Sequence, residues 1–167
     1  MLKIYYAKAM TGRTGQDLLS EAREIQWLSW LFEVEALDPV IAEGVKEGAH
    51  PLANDLDHLN MYWQRDKEMV RDAHVLIDTT GPAKSEGVAH EVGYARYCLW
   101  KPVVRVYEGL GPSIARIEDD YIANSLPEAI KFAKANWGTK SQRIFWRVKM
   151  LAKSLPKFIK YQLGEWK

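Results

Sequence analysis

The chain has little cysteine, no excess of either charge and no long apolar run. Its 167 residues include one cysteine, Cys98, which excludes an internal disulfide framework and fits a reducing compartment. We expect Cys98 to be a core residue, because it lies in an apolar, helix-like run. The net charge of +1 favours no class of charged partner. No run of about 18 apolar residues is present, so the sequence predicts no membrane-spanning helix.

Two further absences narrow the class of protein. The first residues do not show the charged and then apolar pattern of a signal peptide, so we expect a cytoplasmic protein. The four histidines do not have metal-ligand spacing, and neither a GxGxxG nor a Walker pattern is present. The sequence therefore predicts no metal site and no cofactor.

Short apolar runs alternate with helical patterns through most of the chain. Strands are predicted at 2–7, 34–37, 74–78, 102–107 and 121–123, and helices at 16–33, 56–72, 87–99 and 127–135. Residues 43–55, rich in Gly, Pro, Asn and His, are predicted to form a long loop. The alternation predicts a mostly parallel sheet of about five strands with helices on both faces. Right-handed crossovers favour a doubly wound, flavodoxin-like α/β fold.

The end of the chain has a different character. Residues 140–167 hold eight lysines and arginines against one acid, Glu165, with apolar residues interleaved. We predict an α/β domain over residues 1–138 and a basic amphipathic helical extension over 139–167, which Pro156 would kink or split. Such a helix can bind an anionic membrane, nucleic acid or a partner's groove. The simpler alternative, that its apolar side packs on the domain or a second subunit, is the one we favour.

Glu91 is the first candidate for chemistry. It is predicted in the first turns of the helix that follows the third strand, and open α/β sheets bind ligands outside the carboxyl ends of their strands. A helix start favours an ionised carboxylate, and an ionised carboxylate can attack an electrophilic sugar carbon. The alternative is a glutamate that only helps the helix begin, and the pattern does not decide between them.

Two loops have the composition of an anion site. Ser85 and Gly87 precede or begin the helix that carries Glu91, where they could hold a phosphate or a sugar hydroxyl. Gly12 and Arg13 lie in the loop after the first strand, and Arg13 could contact a phosphate bidentately. The alternatives are a capping serine in an ordinary loop and a solvated loop arginine.

The residue pattern does not decide the roles of two more positions. Either Tyr5 or Tyr6 on the first strand could touch a ligand, while the other belongs to the core. Asp66 lies in a helix of mixed charge, where a solvated acid is the default expectation.

Four motifs together resemble a known family. The runs Gln64-Arg65-Asp66, His74-Val75-Leu76-Ile77-Asp78, Ser85-x-Gly87-x-x-x-Glu91-x-Gly93-x-Ala95 and Lys101-Pro102-Val103 are similar to the nucleoside 2-deoxyribosyltransferase superfamily. The resemblance covers about residues 2–130. That superfamily includes transferases that exchange bases on deoxynucleosides, 2'-deoxynucleoside 5'-phosphate N-hydrolases and a cytidylate hydrolase.

The resemblance implies a role for each matching residue. Glu91 matches the nucleophile that attacks C1' of the sugar, Asp66 an acid that positions the sugar or the nucleophile, and Tyr5 the tyrosine of the first strand. The implied phosphate-binding positions are Gly12, Arg13, Ser85 and Gly87, with Ser113 reaching the phosphate of a neighbouring subunit. Lys8, where the family has a small residue, and Glu86, beside the presumed phosphate loop, depart from the pattern.

The implied activity is cleavage of the N-glycosidic bond of a (deoxy)nucleoside or its 5'-monophosphate, by hydrolysis or base transfer. The implied assembly is a homodimer or larger homo-oligomer with shared sites. Two other functions stay open: a non-catalytic nucleotide-binding module, and a membrane- or nucleic-acid-associated protein led by the basic tail.

Overall fold

The computed structural model describes residues 1–10, 13–45, 56–80, 85–106 and 120–162, and the side chains of all of these except 56–60 and 154–162. The strands are β1 (Leu2–Ala7), β2 (Val34–Leu37), β3 (Val75–Asp78), β4 (Val103–Val106) and β5 (Tyr121–Ala123). The helices are α1 (Gly15–Leu31), α2 (Pro39–Ala42), α3 (Leu56–Asp72), α4 (Glu86–Gly93), α5 (Leu126–Trp137) and α6 (Lys140–Gln162).

The five strands form one parallel sheet in the order β2-β1-β3-β4-β5. This order confirms the predicted doubly wound fold. The chain leaves β1 toward β2 on one side and returns to β3 on the other, so the strand order reverses between β1 and β3. Ligands of open α/β sheets bind at such a switch point, outside the carboxyl ends of the strands.

Side chains of β1 alternate between two layers of helices, as the period of two in a strand requires. Ile4 and Tyr6 pack in the cluster that contains α1 and α5, while Tyr5 and Ala7 pack in the cluster that contains α3 and α4. Tyr6 shares a hydrogen bond of 3.1 Å with the Ser29 hydroxyl and is therefore the core tyrosine. Tyr5 is the one that faces α3 and α4.

Short polar side chains begin the helices. Thr14, Asp38, Ser85 and Ser125 each cap a helix by accepting a hydrogen bond from a backbone N–H of its first turn. These local signals explain why most predicted helix starts lie within a residue or two of the observed ones. The short α2 helix was not predicted, and residues 46–55 of the predicted long loop lie outside the described residues.

The prediction for Cys98 is wrong, because the residue is exposed. After Gly93 the chain continues as a π-helical segment, Tyr94–Cys98, in which the N–H of Leu99 donates to the carbonyl of Tyr94 at 3.1 Å. A π-turn holds more residues than an α-turn, so the apolar periodicity read at 3.6 residues per turn no longer predicts which side faces the core.

The first turns of α6 pack on the domain. The rings of Trp146 and Trp137 meet edge to face at 5.3 Å between centroids. The predicted split at Pro156 is wrong, because α6 continues to Gln162. A proline removes one hydrogen bond, and a helix of 23 residues continues past that loss. The division between domain and extension at residue 138 stays a prediction. In the part of the chain that the structure describes, no helix is both long and apolar enough to span a membrane.

Candidate active site

Tyr5, Asp66 and Glu91 come together on the side of the sheet covered by α3 and α4. They are far apart in sequence. All three side chains are buried, with exposed fractions of 0% for Tyr5, 6% for Asp66 and 7% for Glu91. Tyr5 Oη, Asp66 Oδ1 and Glu91 Oε2 are buried without a hydrogen-bond partner among the described residues. Buried polar atoms normally have partners, so an unsatisfied group of three indicates a place where a polar ligand binds.

Glu91 resists ionisation in the free protein. Burial raises the pKa of its carboxyl well above the usual value, and Asp66, Asp78 and Glu43 raise it further. The Tyr5 hydroxyl acts in the opposite direction and lowers the pKa of Glu91, because it interacts favourably with the carboxylate.

The sequence expectation that a helix start favours ionised Glu91 is therefore wrong. Helix α4 begins at Glu86, so Glu91 is one turn further along, where the field of the helix end has fallen off. The acid in the first turn of α4 is Glu86, which is exposed. The glutamate at the start of this helix is therefore Glu86 and not Glu91.

Asp66 is buried, and the default expectation of a solvated acid is wrong. Burial raises the pKa of Asp66 to about 6, although the Tyr5 hydroxyl and the Arg65 guanidinium both favour its charged form. Tyr5 responds in turn: burial and then the charges of Glu91 and Asp66 raise the pKa of its phenol well above the usual value. The phenol therefore stays protonated, and its single O–H is available to donate to either carboxylate.

Glu43 is a fourth member that the sequence did not reveal. It follows α2, and burial and then Asp66 raise the pKa of its carboxyl to about 7. Its Oε1 atom is buried without a partner in the described part of the chain. Arg65 of α3 donates from Nη1 to the Ala42 carbonyl at 2.9 Å, which joins the end of α2 to α3. The one signal in the sequence that could have identified Glu43 is its position shortly after the carboxyl end of β2.

An aromatic cluster holds α3 against α4. The ring of Trp63 meets the rings of His90 and Tyr94 edge to face, with centroids 5.9 and 6.4 Å apart. Trp63 lies one turn before Asp66 on α3, and His90 precedes Glu91 on α4. The cluster therefore fixes the distance between the helices that carry the two carboxylates.

Ion pairs surround the group of carboxylates at the carboxyl edge of the sheet. Asp78, the last residue of β3, lies 3.1 Å from Arg105 Nη1 and accepts a hydrogen bond from the N–H of Thr80 at 2.9 Å. Lys8, which follows β1, pairs with Asp38, which follows β2. Asp38 and Asp78 are each paired with a cation, although Asp78 Oδ2, like Asp66 Oδ1 and Glu91 Oε2, has no hydrogen-bond partner among the described residues.

Arg13 is not a solvated loop arginine. Its guanidinium forms an ion pair with Glu21 of α1, and the other oxygen of Glu21 accepts a hydrogen bond of 2.9 Å from the Thr79 hydroxyl. Glu21 therefore connects the start of α1 to the end of β3. The sequence analysis missed this carboxylate, because only the fold brings residues 13, 21 and 79 together.

Ser85 and Gly87 lie at the start of α4. Ser85 is the N-cap, and its Oγ accepts from the N–H of Val88 at 3.4 Å. Gly87 is exposed, and a Cβ added there would touch only the Ser85 hydroxyl, at an ordinary 3.8 Å. Within the described residues nothing in the packing requires glycine at this position. Gly12 and Ser113, the other two predicted phosphate ligands, lie outside the described residues.

The site has the groups for acid–base and nucleophilic chemistry. Its members are carboxyls of differing pKa and a phenol. Across the described ranges, no three His, Cys, Asp or Glu residues are placed to hold a metal ion.

Comparison with known proteins gives matches to solved structures alone. No family model matches the sequence, and no curated protein matches it. The 2-deoxyribosyltransferase of Bacillus psychrosaccharolyticus has a TM-score of 0.58 at 16% identity, covering 74% of this chain and 86% of that one. The CMP N-glycosidase BcmB of Clostridium botulinum has a TM-score of 0.50 at 13% identity, covering 80% and 98%.

A conserved protein from Enterococcus faecalis V583 is a third match, with a TM-score of 0.55 at 21% identity over 79% of this chain and 98% of that one. At these identities the matches concern the fold. The chain therefore shares with these three proteins the doubly wound α/β fold described above.

Proposed function

We propose that the protein cleaves the N-glycosidic bond of a (deoxy)nucleoside or its 5'-monophosphate, with Glu91 as the nucleophile. The observation that carries this proposal is the buried, unpartnered carboxylate oxygen of Glu91 beside Tyr5 and Asp66, on the side of the sheet where α3 and α4 pack. Two proteins with this fold are a 2-deoxyribosyltransferase and a CMP N-glycosidase, which supports a reaction at a glycosidic bond.

In the first step the Glu91 carboxylate attacks C1' of the sugar while the bond from C1' to the base nitrogen breaks, and its electron pair leaves with the base. Positive charge develops on the sugar ring, and that charge favours the ionised form of Glu91 despite its burial. The Tyr5 hydroxyl, which already lowers the pKa of Glu91, stabilises the carboxylate until it reacts.

The departing base needs a proton, and the neighbouring carboxyls are suited to donate it. Asp66, with a pKa of about 6, and Glu43, with a pKa of about 7, hold protons closer to neutral pH than ordinary carboxyls do. Buried carboxyls that share a site do not all ionise together, so one can be anionic while another keeps its proton. We assign the proton donor to Asp66 or Glu43.

In the second step the ester between the sugar and Glu91 is opened. Water attacks C1' and gives its proton to the carboxylate that protonated the base, which releases the sugar and regenerates Glu91. If a second base attacks instead of water, the product is a new nucleoside. Hydrolysis and transfer therefore share the same residues and differ only in the acceptor.

Arg13 and Ser85 favour a 5'-monophosphate as substrate and hydrolysis as outcome. Arg13 is held at the start of α1 by Glu21, and its planar guanidinium has five N–H donors, more than one carboxylate uses. Ser85 acts as an acceptor in its helix cap, so its O–H can still donate to a phosphate oxygen. A phosphate bound there lies at the N-terminus of α4, in the favourable field of that helix end.

The activity is tested by incubating the protein with deoxynucleosides and their 5'-monophosphates, with and without an acceptor base, and measuring free base by chromatography. Glu91→Gln is expected to lose at least about 100-fold in rate, because the amide is not a nucleophile. Glu86→Gln, which changes an exposed acid in the same helix, is the matched control and should keep the full rate with a deoxynucleoside, which brings no phosphate to the start of α4. The proposal is wrong if no substrate releases base or if Glu91→Gln keeps the wild-type rate.

The phosphate assignment has a separate test. Arg13→Gln is expected to raise KM for the monophosphate by about 10- to 100-fold, the loss of a charge-assisted bidentate contact, with little change for the nucleoside. Glu21→Gln releases Arg13 from its ion pair and is expected to lower KM for the monophosphate. If Arg13→Gln changes KM for the nucleoside and for the monophosphate by the same factor, the phosphate does not bind at Arg13.

A catalytically idle nucleotide-binding module is the second candidate. The observation in its favour is the raised pKa of Glu91, which keeps the isolated carboxyl neutral. This alternative predicts tight binding of a nucleotide without turnover and the same affinity in Glu91→Gln.

For either function we propose a homo-oligomer with shared sites, which sedimentation velocity tests directly.

A further inference from the structure

The outer side of α6 has an uncovered apolar stripe. Ile144, Phe145, Val148 and Leu151, which we call the α6 stripe, are 53, 70, 57 and 45% exposed. The spacing of Ile144, Val148 and Leu151 places them one above another on one side of the helix, with Phe145 beside them. The opposite side carries Trp146, which packs on α5. A contiguous apolar surface of this kind marks a site of interaction.

Cations border the α6 stripe on both sides. The helix has seven lysines and arginines and no aspartate or glutamate among its 23 residues. At 3.6 residues per turn, Lys140 and Arg147 fall along one border of the stripe. Lys149 falls beyond Phe145 on the other side, with its Nζ 5.9 Å from the ring centroid of Trp146, and Lys153 follows it there. All four side chains are exposed. An apolar stripe between two rows of cations is the pattern of helices that lie in the interface of a bilayer.

A cavity of about 270 Å³ opens beside one of these borders, between the start of α6 and the sheet. Its walls are His74, Trp100, Lys101, Pro102, Trp137, Lys140, Arg143, Ile144, Trp146 and Arg147. None of these described residues is acidic. Lys101 and Arg143 donate to backbone carbonyls, which leaves Lys140 and Arg147 to meet an anion. Tryptophan is the residue enriched at the level of lipid headgroups, and three line this cavity.

We propose that α6 docks on the surface of a bilayer that contains anionic phospholipids, with the α6 stripe at the acyl boundary and its cations among the lipid phosphates. The contact is interfacial, since no described helix can span a membrane. Nucleic acid would engage the cations but leave the apolar stripe in water. A twofold contact with a second copy would bring rows of like charge together, which disfavours that occupant.

Docking through α6 is compatible with access to the candidate active site. The cavity is lined by His74 and by Trp100–Pro102, which precede β3 and β4, so it lies at the amino edge of the sheet. The loops that follow the strands leave from the opposite, carboxyl edge. A membrane against α6 therefore leaves that edge facing solution. The proposal does not depend on the reaction at Glu91.

The test uses the full chain and vesicles of phosphatidylcholine, alone or mixed with phosphatidylglycerol, in a co-sedimentation assay. We expect binding to the mixed vesicles, little binding to phosphatidylcholine alone, and a strong decrease at 1 M salt, where the Debye length is about 3 Å. Val148→Ser with Leu151→Ser, and separately Lys149→Gln with Lys153→Gln, are each expected to weaken binding by about tenfold or more. These positions are exposed, so the variants keep the fold.

Trp30→Ser is the matched control, because it removes an apolar side chain that is 76% exposed but lies on α1. It should bind the vesicles as the wild type does. The proposal is overturned if the protein binds neither vesicle, binds both equally, or loses as much affinity in Trp30→Ser as in the α6 variants. It is also overturned if Val148→Ser with Leu151→Ser converts an oligomer to a monomer without affecting vesicle binding, since a second copy would then occupy the stripe.

Discussion

Lys8 Nζ lies 2.8 Å from Asp38 Oδ2, and both side chains are almost entirely shielded from solvent. The two residues follow β1 and β2, which are neighbours in the sheet. The other oxygen of Asp38 accepts from the N–H of Val40 at 2.9 Å and begins α2. The pair therefore fixes α2, and with it Glu43, relative to the strand that carries Tyr5.

Removing one partner of this ion pair should lower the stability of the fold. Lys8→Met leaves the Asp38 charge buried and unpaired, so we expect the free energy of unfolding to fall by about 3–5 kcal/mol, measured by urea denaturation. Lys8→Met with Asp38→Asn should recover part of the loss, because the buried charge is gone while asparagine still caps α2. A cost below about 1 kcal/mol for Lys8→Met would show that the pair behaves like a surface salt bridge.

Asp66 should make the protein less stable as pH rises. Its folded-state pKa of about 6 lies above the ordinary 3.8, so the folded state binds the proton more tightly than the unfolded state does. This contribution is fully present below pH 3.8 and is lost as pH rises through about 6. Asp66→Asn removes the ionisation, and we expect it to raise the free energy of unfolding at pH 8 by roughly 1–3 kcal/mol.

The measurement is urea denaturation of wild type and Asp66→Asn at pH 4 and pH 8. We expect a small difference at pH 4 and a gain for the variant at pH 8, together with a loss of base-release activity. A variant less stable than the wild type at pH 8 would mean that the carboxylate of Asp66 is stabilised by contacts stronger than its burial cost.

The pH dependence of the rate distinguishes the two candidate proton donors. If Glu43 is the donor, kcat/KM of the wild type falls as pH rises through about 7, the pKa of Glu43 in the free protein. Glu43→Gln then lowers the rate and removes this limb of the profile. A limb near pH 6 that persists in Glu43→Gln and disappears in Asp66→Asn would assign the proton to Asp66.

Gly87 offers a test of close ligand approach. Because an added Cβ has open space apart from an ordinary contact with Ser85 Oγ, Gly87→Ala should keep or slightly raise stability, by about 0.5–1 kcal/mol for a helical position. The same methyl should weaken monophosphate binding if phosphate oxygens approach this backbone. Thermal melting and KM for the two substrate classes measure the two effects.

Gly44→Ala is the control for the effect of Gly87→Ala on stability. Its φ of +65° is in the left-handed region, so Gly44→Ala is expected to cost about 1 kcal/mol of stability through backbone strain. If Gly87→Ala leaves KM unchanged for every substrate, Gly87 does not approach the ligand.

Local chemistry made the fold predictable from the sequence. Apolar runs with a period of two or 3.6 marked the elements, and caps such as Thr14, Ser85 and Ser125 marked where helices begin. Alternating strands and helices with right-handed crossovers predicted a doubly wound sheet, and the observed order β2-β1-β3-β4-β5 is of that kind. The prediction for Cys98 failed where a π-turn departed from the standard helical period, and the predicted split at Pro156 failed because α6 continues past that proline.

The sequence by itself predicted the doubly wound fold, because periodicity and capping are local properties of the chain. The resemblance of its motifs to a known family then implied that Glu91, Asp66 and Tyr5 are site residues. Only the tertiary structure decided that Tyr5 rather than Tyr6 faces the candidate site and that Asp66 is buried. It also brought Glu43 to Asp66 and Glu21 to Arg13. Burial and the charges of distant neighbours set the pKa of a carboxyl, and both exist only after the chain has folded.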